Sequence, residues 1–132
     1  MNKVVVRYQD GRLLKGFTGD FFPNKDFFHL ALDEGGQGAK PVEVRTADLK
    51  AVFFVKDFRG NPQHEERRAF DGSRAVVGRK IQVMFKDGEQ LLGTTQGYQP
   101  GRPGFFIVPA DGQSNIERCY VISAATKAVS FA

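Results

Sequence analysis

The chain of 132 residues has room for one ordinary domain or two very small ones, because a domain below about 70 residues buries too little of its surface to be stable with ease. Apolar residues at 41% and charged residues at 26% exclude disorder and collagen-like repeats, and no run of about 20 apolar residues is present to span a bilayer as a helix. Nineteen Lys and Arg against fifteen Asp and Glu leave a net charge of +4, which permits contact with phosphates without requiring it.

Met1 to Val6 lacks the apolar core of a secretory signal, so the chain is expected to be unprocessed. Val4, Val6 and Tyr8 alternate as the core face of a first strand. Asp10-Gly11 follows, a dipeptide suited to the positive φ of a tight hairpin. A second strand runs through Leu14 and Gly16, a third from Phe28 to Leu32, and two more over Val42 to Arg45 and Leu49 to Val55. A linker at 57–78 holds one short helical turn, with Asn61 as cap and Pro62 at its start. The strand pattern then returns: Ile81, Val83 and Phe85, the Asp87-Gly88 turn, Leu91 and Gly93, Phe105 to Val108, Cys119 to Ile122, and Lys127 to Phe131.

The return is a repeat in sequence. KVVVRYQDGRLLKGFT from Lys3 to Thr18 aligns with KIQVMFKDGEQLLGTT from Lys80 to Thr95. The same offset of about 77 residues pairs Pro23 with Pro100, Phe28 with Phe105, Val44 with Val121, and Lys50-Ala51-Val52 with Lys127-Ala128-Val129. Self-similarity at a fixed period outweighs any local motif. The expected architecture is all-β: two tandem five-stranded small barrels at 1–56 and 79–132, joined by the linker.

The order of strand, Asp-Gly turn, strand with an internal Gly, third apolar strand and two closing strands resembles the Sm-like group of small SH3-type barrels. The carriers of the resemblance are Val4, Val6, Gly11, Leu14 and Gly16, and again Ile81, Val83, Gly88, Leu91 and Gly93. It implies a base-binding loop before the third strand, which falls at GDFFPNKDFF and GYQPGRPGFF, and a second motif at Arg45-Thr46 and Ile122-Ser123. A fainter resemblance, carried by ERRAFDGSR and the DGE turn, is to PilZ domains, which hold cyclic dinucleotides with an RxxxR segment and a D/N-x-S-x-x-G strand; Arg67, Arg68 and Arg74 have a different spacing, and GYQPGRPG replaces the second motif.

Catalysis needs a nucleophile, base and stabiliser that converge, or metal ligands at suitable spacing, and neither is seen. His29 has Phe106 as its counterpart, so the pattern does not require an imidazole there. His64-Glu65-Glu66 opens like a zinc-protease motif, but Arg68 stands where the second His belongs. The single Cys119 excludes an internal disulfide and points to a reducing, cytoplasmic setting; its counterpart is Val42, so it reads as a buried, inert thiol. No catalytic residue, metal or cofactor is expected.

Thirteen Phe and no Trp are the unusual feature. Neighbouring residues of a strand point to opposite faces, so one ring of each strand doublet must leave its own core. Phe22, Phe27, Phe53 and Phe106 are the candidates either to pack one barrel on the other or to form a partner surface. Lys25 and Arg102 occupy equivalent loops, and with Arg45 they are the candidates for a polyanion surface. The expected function is a non-enzymatic binding or adaptor module with a protein partner. Single-stranded RNA binding of the Sm-like type is the alternative, and self-association is open.

Overall fold

The computed structural model describes residues 1–33, 40–58, 78–111 and 114–131. The first five strands are β1 (Asn2–Tyr8), β2 (Leu13–Thr18), β3 (Phe27–Leu32), β4 (Val42–Arg45) and β5 (Leu49–Val55). The second five are β6 (Arg79–Phe85), β7 (Gln90–Thr95), β8 (Gly104–Pro109), β9 (Ile116–Ile122) and β10 (Thr126–Phe131). A single 3-10 turn precedes the last strand of each half, at Thr46–Asp48 and Ser123–Ala125. No helix among the described residues is long and apolar enough to cross a membrane. The linker turn expected around Asn61, and the segment with His64, Arg67, Arg68 and Arg74, lie outside the described residues.

Every neighbouring pair of strands is antiparallel, and all ten belong to one sheet of order β10-β6-β7-β8-β9-β5-β1-β2-β3-β4. Each half therefore runs fifth, first, second, third, fourth. The all-β expectation holds, but instead of two separate five-stranded sheets there is one, continuous through the pairing of β5 with β9.

Local chemistry explains the matching halves. At each hairpin the Gly amide donates to the residue that ends the strand, Gly11 to the Tyr8 carbonyl at 3.1 Å and Gly88 to that of Phe85 at 3.0 Å. Both glycines have positive φ, +96° and +92°, which other L-residues adopt at a steric cost. Midway along β2 and β7, a Cβ on Gly16 or Gly93 would collide with the carbonyl of Ala31 or Val108 on the next strand. The missing side chain lets those strands cross closely and the sheet bend.

Two apolar clusters result, and each takes side chains from both halves. Val4, Val6, Phe28, Leu30 and Val44 of the first half pack with Tyr120 and Ile122 of the second. Ile81, Val83, Phe85, Phe105 and Ile107 of the second pack with Ala51, Phe53 and Val55 of the first. The alternation of a strand makes this possible: Val52 and Phe54 point into one cluster, Ala51, Phe53 and Val55 into the other, and all seven residues of β5 are buried. Phe53 therefore departs from the expectation of a partner surface. It is 7% exposed because β9 extends the sheet beside β5 and the second half packs Ile81, Val83, Phe85, Phe105 and Ile107 over the face on which it stands.

Candidate interaction surface

The junction of β5 with β9 sets the geometry of the candidate sites. Its register pairs Ala51 with Val121, Val52 with Tyr120, Phe53 with Cys119 and Phe54 with Arg118. Phe21, in the loop before β3, centres an aromatic cluster there. Its ring lies 5.1 Å from Phe28, 5.7 Å from Phe54, 5.2 Å from Tyr120 and 6.4 Å from Phe106, in edge-on contacts of the kind favoured by the ring quadrupole. Phe106 is half-buried against the first cluster, so of the four outward-ring candidates Phe53 and Phe106 serve the junction. Phe21 was not singled out in the sequence, because a loop residue carries no periodicity to reveal which way it turns.

A polar clasp crosses the same junction. Lys50 has a side chain 8% exposed, and its Nζ donates to Asp87 Oδ2 at 2.7 Å and Glu89 Oε1 at 2.9 Å on the β6–β7 turn. The Lys50 hydrogen bond, with the Glu89 amide second, holds the Asp87 carboxyl below its ordinary range. At the other end Asn115 ties the exit of β5 to the entry of β9, its Nδ2 donating to the Asp57 carbonyl at 2.7 Å and its Oδ1 accepting from the Asp57 amide at 3.0 Å.

On the far side of the first half the β3–β4 hairpin turns an outer face to solvent. Phe22 and Phe27 are 49% and 47% exposed. Lys25 Nζ sits 5.0 Å over the Phe22 ring, and Phe27 meets the His29 ring edge-on at 5.9 Å. Across the strands Phe27 faces Arg45 and His29 faces Glu43. Asp20 fixes His29: its Oδ2 lies 2.7 Å from Nδ1, and its Oδ1 accepts from the His29 amide at 2.9 Å. The side-chain bond to His29, then the amide bond, lower the Asp20 carboxyl from its ordinary range.

The corresponding face of the second half is covered. There Gly104 takes the place of Phe27, Phe106 of His29, Tyr120 of Glu43 and Ile122 of Arg45. Tyr120 lies across Gly104 so closely that an added Cβ would stand 2.5 Å from its ring. Where the second half is apolar and buried, the first is charged, aromatic and open.

Of the polyanion candidates, Lys25, Arg45 and Arg102 are all exposed, and the fold gives no contact that gathers them. Lys25 is engaged with Phe22; the Arg102 carbonyl accepts from Ser123 Oγ at 2.8 Å. A different basic group does form: a cleft of about 400 Å³ beside the junction, lined by Lys3, Lys56 and Arg118 with Glu117 and Phe54. The Arg118 guanidinium carbon lies 4.3 Å from the centre of the Phe54 ring and 5.1 Å from that of Phe106, within cation–π distance of both. Its members come from β1, the end of β5 and β9, so no sequence spacing could announce it. Cys119 is fully buried, and burial pushes its thiol up, away from the reactive thiolate. Among the described residues no three His, Cys, Asp or Glu side chains gather into a group that could hold a metal ion.

The family model described as a family of unknown function, DUF6982, matches residues 1–132, and the chain belongs to that family. No curated protein and no solved structure matches the chain.

Proposed function

We propose that this member of the DUF6982 family is a non-enzymatic protein-interaction module, formed from two Sm-like small barrels in tandem and working in the cytoplasm. Its docking surface is the outer face of the β3–β4 hairpin with the adjoining edge of β4. One observation carries the reading: Phe27 stands half-exposed beside the strand at the end of the sheet, on the face that the second half uses to cover its neighbour, and Phe22 is half-exposed in the loop that leads into β3. Unpaired strand edges and exposed rings both favour association. The test is affinity capture from the native cell with the parent protein and with a Phe22→Ser/Phe27→Ser variant. A partner held by the parent and lost by the variant is expected; identical captures would count against the surface.

The basic cleft of Lys3, Lys56 and Arg118 favours a second reading, binding of single-stranded RNA or another polyanion. Titration of single-stranded RNA at several salt concentrations separates the two. Under this reading each phosphate contact removed, as by Arg118→Ala, lowers the slope of log K against log salt by about 0.7.

A further inference from the structure

The sheet ends at β4 on one side and β10 on the other, and among the described residues no strand pairs with the outer side of either. The internal junction shows what a head-to-tail contact between copies would require, since β4 corresponds to β9 and β10 to β5. The required residues are missing. Tyr120 and Ile122, which fill the first cluster, are replaced by exposed Glu43 and Arg45; Phe53, which fills the second, is replaced by exposed Ser130. Lys127 corresponds to Lys50, but the acids it would meet correspond to Asp10 and Arg12, and Asp10 already holds Arg12 at 2.9 Å. Continued by one residue, the junction register also sets Lys127 opposite Arg45. A head-to-tail contact thus buries polar groups and opposes like charges.

The β4 edge is instead complementary to itself. Val42-Glu43-Val44-Arg45 paired antiparallel with its own copy about Val44 places Glu43 opposite the partner's Arg45 and Arg45 opposite the partner's Glu43. Directly opposed, oppositely charged pairs stabilise a ladder, and like pairs destabilise it. Both residues are exposed while Val44 is buried beneath them, so the charged pairs fall on one face and the apolar residue on the other. Phe27 and His29 already flank Arg45 and Glu43 in register. The row therefore continues across the new pair as Phe27, Arg45, the partner's Glu43, the partner's His29, and again in reverse. Pro41 carries no N–H and confines the ladder to this short segment.

We propose that the occupant of the β4 edge is a second copy of the chain, docked about a two-fold axis through Val44. The proposal rests on the reading of this hairpin as the docking surface and names its partner. An isologous contact uses each β4 once and closes at two copies.

Sedimentation equilibrium of the full chain and three variants, up to about 1 mM, the dissociation constant of a weak contact, tests it. The parent is expected to give a monomer–dimer equilibrium. Glu43→Arg and Arg45→Glu each place like charges opposite one another twice, and each should raise the dissociation constant at least about tenfold. The double variant E43R/R45E restores complementarity and should restore the dimer. Unchanged circular dichroism in all three separates lost association from lost folding. Assemblies beyond two copies, or a stronger contact in Arg45→Glu, would point to head-to-tail pairing with Lys127 and overturn the proposal. A monomeric parent overturns it too. If Glu43→Arg then abolishes capture of a different protein, the interaction surface stands without self-pairing; if no capture depends on this edge, both readings fall.

Discussion

Lys50 on β5 and Asp87 on the β6–β7 turn meet at 2.7 Å across the junction of the two halves, with the ammonium buried and the carboxylate largely in solvent. This asymmetry decides which substitution is damaging. Neutralising the acids leaves a buried cation without a countercharge, whereas taking away the lysine leaves acids that water can solvate. The double variant Asp87→Asn/Glu89→Gln is expected to lose about 2 kcal/mol, and Lys50→Met less, by urea denaturation at neutral pH.

The same contact has a pH signature. The hydrogen bond from Lys50 lowers the Asp87 carboxyl in the folded state below its ordinary 3.8, so the unfolded chain takes up the proton first. The contribution is complete above that ordinary value and is lost as pH falls through the lowered folded value. The stability gap between the parent and Asp87→Asn should therefore be steady from pH 7 to about 5 and shrink below about 4. A gap independent of pH would show that the carboxylate charge is not what matters.

Gly104 and Phe27 hold equivalent places on β8 and β3 but face opposite circumstances. Gly104→Val would drive a side chain into the Tyr120 ring and should cost about 1–3 kcal/mol through overpacking. Phe27→Ala removes a half-exposed ring and should change stability by less than about 0.5 kcal/mol. Denaturation midpoints of the two variants give the comparison.

Because each apolar cluster contains side chains of both halves, neither half is complete. Residues 1–56 alone would expose Ala51, Phe53 and Val55 and would lack Tyr120 and Ile122. This fragment is expected to aggregate or remain unfolded, and Phe53→Ser in the full chain to cost about 3 kcal/mol or more. A monomeric fragment with a cooperative melt would refute the shared clusters.

Cys119 should resist iodoacetamide in the native protein and react on unfolding, since burial both hides the sulfur and raises its pKa. Mass spectrometry of the alkylated protein in buffer and in urea provides the readout.

Much of the strand pattern was legible because it rests on local chemistry. The Asp-Gly turns, the glycines at 16 and 93, and the alternation of Val4, Val6 and Tyr8 state their requirements within a few residues of chain. The junction was not legible. The pairing of β5 with β9 joins Phe53 to Cys119, far apart in sequence, and a strand buried on both faces reads as an unbroken apolar run whose two destinations look alike. Phe22 and Phe27 could be named as outward rings, but Phe53 bore the same mark, and only the packing of the second half against that face of β5 distinguishes it. The cleft of Lys3, Lys56 and Arg118 left no trace, because three single cations on three separate segments have no spacing to recognise.

The pairing of β5 with β9 within one chain has a consequence for dilution. Tethered strands meet at an effective concentration fixed by the connecting segment, whatever the number of molecules in solution. The melting of the junction should follow first-order behaviour and give the same midpoint at nanomolar and micromolar protein. A contact made at the β4 edge obeys mass action instead, so crowding many copies into one place would switch that edge while leaving the ten-stranded sheet untouched.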